Sequence, residues 1–293
     1  MPEKSFPVNK KIAAARLSVF SNTALIILKV IAGLLSGSVS IISEAIHSFM
    51  DLLAAVVAFF SVRISDTPAD ERHPYGHGKF ENISGVVEAL LIFVAAFWII
   101  YEAVKKFIHP EPVGNLGLGF AVMIISAVVN IIVSRRLYKV ARETDSVALE
   151  ADALHLKTDV YTSAGVASGL LLMWITGFHL VDSIIAIFVA LLILKESYEL
   201  FMKAYAPLLD LSLPKEDLER ISAIIGLHCG GQMSFHDLRT RKAGNYRYVD
   251  FHLNLDPDIT VREAHAICDR IEEDIKKSFD HTEVTIHVEN FSK

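Results

Sequence analysis

Apolar residues gather into long blocks over the first two thirds of the chain, at 13–35, 38–64, 80–108, 116–139, 146–177 and 180–205. A helix of about twenty apolar residues crosses roughly 30 Å of hydrocarbon, so the pattern predicts six transmembrane helices. The breaks between them are short and polar or glycine-containing: Leu35-Ser36-Gly37-Ser38, 65–79, 109–115, 135–144 and Thr176-Gly177-Phe178. From Asp210 onward the sustained apolar runs stop. Pro214 with Glu216 and Asp217 suits the first turn of a helix over 214–226, and Thr260 with Glu263 forms a capping-box pattern opening a helix over 260–278. Residues 233–241, 247–255 and 283–289 alternate or are β-branched and aromatic, as strands are. The expected fold is an all-α six-helix transmembrane domain, residues 1–209, followed by a small α+β domain, residues 210–293, in the order α-β-β-α-β, ferredoxin-like or metallochaperone-like.

Composition agrees with a membrane protein and narrows the alternatives. Hydrophobic residues make up 52% of the 293 and charged residues 21%, unlike an ordinary soluble enzyme. A net charge of −6 without a basic cluster leaves no electrostatic footprint for nucleic acid. Two cysteines, Cys229 and Cys268, are too few for a disulfide framework or a thiolate cage. The opening segment lacks a signal-peptide pattern and is expected to be retained. Basic residues concentrate at the N-terminus, in the second connection (Arg63, Arg72, Lys79) and in the fourth (Arg135, Arg136, Lys139, Arg142), which places both termini in the cytoplasm. Lys105 and Lys106 depart from that pattern and are read as snorkelling to the outer interface.

The apolar blocks have expensive interruptions. The second carries Glu44, His47 and Asp51, and the fifth Asp152, His155, Lys157 and Asp159. An aspartate at the bilayer centre costs about 2.5–3.5 kcal/mol even on insertion scales, so such residues face the protein interior and are paired, metal-bound or on a pathway. His47-x-x-x-Asp51 and His155-x-x-x-Asp159 each put an imidazole and a carboxylate on one helical face. Two such faces turned together offer two nitrogens and two oxygens, a tetrahedral set for Zn²⁺. Two neutral imidazoles and two carboxylates sum to −2, balancing a dication, and protons should compete with metal for the empty site. Glu88, Glu102, Asn130 and Asp182 also interrupt spans, without chemistry assigned to them.

The segment Ser43-Glu44-Ala45-Ile46-His47-Ser48-Phe49-Met50-Asp51, the loop Asp70-Glu71-Arg72-His73-Pro74-Tyr75-Gly76-His77-Gly78-Lys79 and the segment Ala153-Leu154-His155-Leu156-Lys157-Thr158-Asp159 resemble the cation diffusion facilitators over nearly the whole chain. The resemblance implies a homodimeric, proton-coupled metal exporter with His47, Asp51, His155 and Asp159 as its transport site. A similar bacterial branch, which includes iron and zinc exporters, often has Asp where His47 stands. The imidazole shifts preference toward Zn²⁺, with Cd²⁺ and Co²⁺ plausible, and away from hard cations.

Further clusters follow. Asp70, His73 and His77 share a loop in which Gly76 and Gly78 permit a tight backbone; spacing alone leaves a solvated loop as the alternative, and the resemblance implies a second metal site. In the tail, His252 lies on the polar face of its strand, His287 and Glu289 share one face of another, His236 opens a strand, and His265 sits on the polar side of a helix. Similar proteins place a two-metal centre at the dimer contact on positions matching His236, His252, His265, His287 and Glu289, where Glu289 replaces the more usual Asp. The resemblance also implies an interlock between subunits through Lys79 and Asp210, and a hydrophobic gate at Leu154, whose plain reading is core packing.

The resulting expectation is not an enzyme but a cation/proton antiporter in a bacterial inner membrane, moving Zn²⁺, or Cd²⁺, Co²⁺ or Fe²⁺, out of the cytoplasm by alternating access. An intramembrane metal-dependent hydrolase or a metal-gated receptor are the alternatives. Against a hydrolase, no His-Glu-x-x-His occurs and four protein donors leave no open position for water.

Overall fold

The computed structural model describes the backbone of residues 6–36, 39–108, 117–176, 180–230 and 233–290. Within these, the side chains at 6–9, 33, 36, 39–47, 50, 106–107, 117–121, 123, 166–176 and 180–182 lie outside the description. The expected breaks around Gly37, at 109–115 and around Gly177 fall wholly or largely outside the described residues. The chain divides into two compact units, Met1–Tyr205 and Ala206–Lys293.

The first unit is helical: α1 (Phe6–Ser36), α2 (Val39–Ser65), α3 (Lys79–Ile108), α4 (Gly117–Thr144), α5 (Val147–Thr176) and α6 (Leu180–Tyr205). Two boundaries differ from the sequence reading. Helix α1 begins seven residues before position 13 and includes Lys11, one of the N-terminal basic residues read as an orientation signal, which is buried and ion-paired. Helix α4 runs through the 135–144 stretch expected as a connection, since Leu137, Val140, Ala141 and Thr144 keep a buried helical face between the basic residues.

Helices α1, α2, α4 and α5 share one core, including Ala15, Val62, Leu137 and Leu156, while α3 and α6 pack with the other side of α5 around Ala89, Ile92, Leu154 and Ile193. Small residues allow this closeness. A Cβ added at Gly85 on α3 would sit 2.9 Å from Val147 Cγ1 and 3.0 Å from Ala204 Cβ. The surface inverts that of a water-soluble protein. Phe20, Leu34, Val94, Trp98, Ile132 and Phe188 are exposed, while Lys29, Asp51, Glu81, Glu88, Asn130 and Asp152 are buried. Apolar outside and ionisable inside is the arrangement a bilayer imposes. By length and composition alone, Lys10–Ala32 and Lys79–Lys105 are the described windows apolar enough to cross one.

A buried ion cluster ties four helix ends together. Lys11 Nζ donates to Asp66 Oδ1 at 3.0 Å and to Glu81 Oε1 at 2.9 Å; Ser65 Oγ donates to the same Glu81 oxygen at 2.9 Å, and Ser146 Oγ to the other. The start of α1, the end of α2, the start of α3 and the start of α5 are thereby fixed to one another.

The second unit opens with a 3-10 turn (Ala206–Leu209), followed by α7 (Lys215–His228), β1 (Ser234–Ala243), β2 (Tyr246–Leu255), α8 (Val261–Ser278) and β3 (Thr282–Asn290). Pro214 sits at the N-cap of α7, one position before the helix, with Glu216 and Asp217 in the first turn. The Thr260–Glu263 capping box is formed. Strand β2 is central, antiparallel to β1 and parallel to β3. Phe251, Leu253 and Leu255 of β2 are buried with Ile221 and Ile225 of α7 and Ile271 and Ile275 of α8, so both helices share a core with one sheet face. Cys229 and Cys268 are free thiols, raised by partial burial above the usual thiol range.

Candidate metal centres

Helix α5 delivers His155 and Asp159 to one face by their four-residue spacing, and α2 delivers Asp51 opposite them. His155 Nε2 lies 3.0 Å from Asp51 Oδ1, and one donor atom from each of Asp51, His155 and Asp159 falls within 4.8 Å of the others. Asp51 is buried and His155 is 14% exposed at its side chain. His155 Nδ1 is buried without a hydrogen-bond partner among the described residues. His47 lies one turn before Asp51 on α2, and its side chain is outside the described residues. Three donors of the expected four therefore converge in the interior of the helical unit, two of them acidic. That set suits a divalent cation of Zn²⁺ type.

The surroundings include groups for which sequence reasoning had no role. Asn130 of α4 donates through Nδ2 to Asp159 Oδ2 at 3.4 Å. Glu88 of α3 and Asp152 of α5 are fully buried. Polar residues in apolar runs were the available signal, but period alone cannot tell which polar positions share a cavity. Leu154 is buried against α3 and α6, as its plain packing reading has it. Lys157 pairs with Glu196 of α6 at 2.8 Å rather than turning to the metal donors.

The loop between α2 and α3 forms a second cluster. Asp70 Oδ1 accepts the backbone N–H groups of His73 at 2.6 Å and Arg72 at 2.9 Å, which hold its carboxyl below the usual carboxylate range. The same carboxylate faces both rings, with Oδ1 3.2 Å from His73 Nδ1 and Oδ2 3.3 Å from His77 Nε2. Gly76, at φ +78°, provides the left-handed turn that brings His77 back over His73, with ring centroids 4.4 Å apart. Lys79 begins α3 directly after this loop. In the second unit, Asp210 lies 3.7 Å from Arg241.

The third cluster is made by strand register. His236 of β1 pairs with His252 of β2, and His252 with His287 of β3, so three imidazoles stand in one row across the sheet, on the face opposite Phe251 and Leu253. Ring centroids are 5.1 Å apart for His236 and His252 and 4.8 Å for His252 and His287. Glu289, two residues beyond His287 on the same face, reaches all three, at 3.6 Å from His236, 3.0 Å from His252 and 3.5 Å from His287. His265 is not brought to this row within the chain. It is 76% exposed at its side chain on α8, 3.7 Å from Asp269.

Family models match both parts of the chain. One, described as the cation efflux transmembrane domain, covers residues 15–209, and one described as the cytoplasmic domain of cation efflux proteins covers residues 213–291. The chain is 36% identical over 275 residues to the uncharacterized transporter sll1263 of Synechocystis sp., covering 94% of this chain and 89% of that one. It is 33% identical over 274 residues to the cation-efflux pump FieF of Shewanella oneidensis, covering 94% and 92%, and 32% identical over 265 residues to FieF of Klebsiella pneumoniae, covering 90% and 88%. A solved structure of CzrB aligns at 39% identity with 28% of this chain and all of that one, with a TM-score of 0.27.

Proposed function

The chain belongs to the cation efflux family of integral membrane transporters, and on that premise we propose that it is a homodimeric, proton-coupled exporter whose main cargo is Zn²⁺. The observation that carries this reading is the convergence of Asp51, His155 and Asp159 from two helices in the interior of the helical unit. With His47 as the fourth donor, the site would be closed and tetrahedral, the preference of Zn²⁺, while Cd²⁺, Co²⁺ and Fe²⁺ are lesser cargoes. Six spans with both termini in the cytoplasm of a bacterial cell complete the topology.

Transport follows from the charge balance. Two carboxylates and two neutral imidazoles cancel a dication, so the loaded site is electrically satisfied in a poor dielectric. Once the helices rock to expose the site outward, protons from that side compete for the same lone pairs and release the metal. The protonated site then returns inward, where lower acidity strips it for the next cation. The relatives named as cation-efflux pumps support the direction of movement. The Asp70–His73–His77 loop is assigned a second metal, and the His236–His252–His287–Glu289 row a cytoplasmic centre that senses metal load and tightens the dimer. His265, displaced within one chain, would join that centre from the partner copy, and Lys79 with Asp210 would interlock the subunits. Leu154, next to His155, is assigned the gate.

Flux in reconstituted vesicles tests this reading. Zn²⁺ movement should rise with an imposed pH gradient, and Asp51→Ala should abolish it. Flux indifferent to that gradient would remove the coupling, and transport retained by Asp51→Ala would remove the site.

A further inference from the structure

We infer that Asn130 is a positioning residue that sets metal selectivity by holding one oxygen of Asp159 out of the ligand shell. This rests on the transport-site reading above and deepens it. Asn130 stands in the middle of an apolar run, Ala127-Val128-Val129-Asn130-Ile131-Ile132-Val133, on α4, a helix that contributes none of the four assigned ligands. It is 7% exposed. Its Nδ2 faces Asp159 Oδ2 at 3.4 Å, while its own Oδ1 is buried with no hydrogen-bond partner among the described residues. The orientation of the amide follows from charge: turned round, its carbonyl would confront a carboxylate oxygen.

An amide placed in the interior of a membrane helix bundle with its acceptor unsatisfied is a poor packing choice. What the residue gains is the donor contact to Asp159. A carboxylate can grip a cation through one oxygen or both, and cations that accept six or more oxygen ligands profit from both. With Oδ2 engaged by the Asn130 amide, Asp159 holds the metal through Oδ1 alone. The site then offers four donors and suits tetrahedral Zn²⁺; the second oxygen, which Mn²⁺ or large Cd²⁺ would use, is withheld. The same contact fixes the rotamer of Asp159, as outer hydrogen bonds do for metal ligands generally.

The test compares Asn130→Leu, which keeps the branching at Cγ and removes the amide, with Asn130→Gln, which retains an amide, in vesicles carrying the full-length protein. Zn²⁺, Mn²⁺ and Cd²⁺ fluxes are measured in parallel, and Zn²⁺ binding is measured on detergent-purified protein. Asn130→Leu should weaken Zn²⁺ binding and raise its KM by about 10–100-fold, the usual effect of losing an outer partner of a metal ligand. Its kcat should stay near wild type, and its Mn²⁺:Zn²⁺ and Cd²⁺:Zn²⁺ flux ratios should rise. Asn130→Gln should recover part of both effects. A merely structural amide would lower transport of all three metals alike through the amount of folded protein, with KM and the ratios unchanged, and that result overturns the inference. If Asn130→Leu does not fold, Asn130→Ser is judged by the same two readouts. Asp51→Ala separates the failures. If it abolishes flux while the Asn130 variants match wild type, the inference alone falls; if it still transports, the site reading falls first.

Discussion

Replacing Lys11 by methionine removes the ammonium that bridges Asp66 and Glu81 in the cluster joining four helix ends. Its ammonium is 2.9 Å from Glu81 and 3.0 Å from Asp66, and all three side chains are at most 9% exposed. At an effective dielectric of about 20, each contact corresponds to roughly 5–6 kcal/mol of gross attraction. Most of that is offset by several kcal/mol of lost hydration for each ion. The intact cluster is therefore close to neutral in stability, but Lys11→Met takes the ammonium from between two buried carboxylates. Breaking a buried pair in this way costs about 3–5 kcal/mol. For a unit of this size, that corresponds to a fall in the melting midpoint of roughly 6–20 °C, which a thermal scan of detergent-purified protein followed by tryptophan emission resolves. Adding Glu81→Gln to Lys11→Met should recover part of the loss, because it removes one stranded charge while its amide accepts from one of the Ser65 and Ser146 hydroxyls and donates to the other. A Lys11→Met protein melting within about 2 °C of wild type, or a double variant melting lower than the single one, would refute the reasoning.

Four further outcomes are expected. His47→Asp replaces nitrogen by oxygen in the transport site and should broaden flux toward Fe²⁺ and Mn²⁺, read in the same vesicles. Glu289→Ala, which takes the shared carboxylate from three imidazoles, should weaken zinc binding at the tail by at least about tenfold; His265→Ala should do so only where two copies associate, and calorimetry across a concentration series separates these cases. Gly85→Ala forces a methyl against Val147 and Ala204 and should cost about 1–3 kcal/mol, read as a lower melting midpoint. The Asp70 carboxyl is held low by backbone N–H groups in the folded loop, so its contribution to loop order is present above the usual value of about 3.9 and lost as pH falls through the depressed one. Amide exchange at Arg72 and His73 should accordingly stay slow at neutral pH and rise in Asp70→Asn without any acidification.

The presence of the long helices, the capped start of α8, the α-β-β-α-β order of the tail and the His-x-x-x-Asp spacing were legible in the sequence. Each depends on a period of 3.6 or 2 or on residues a few positions apart, and such local chemistry is written along the chain. The polar face of β2 that carries His252 was legible for the same reason. What the sequence left open concerns partners distant along the chain. That Lys11 is a buried ion rather than an orientation signal depends on Asp66 and Glu81 meeting it from other helices. That Asn130 reaches Asp159 depends on how α4 is rotated against α5. That three imidazoles form one row, with His265 apart from it, depends on strand register, where a slip of one residue would turn His252 toward the core. Rotation and register are settled by the packing of whole surfaces, and only the tertiary structure records which of the alternatives that packing selected.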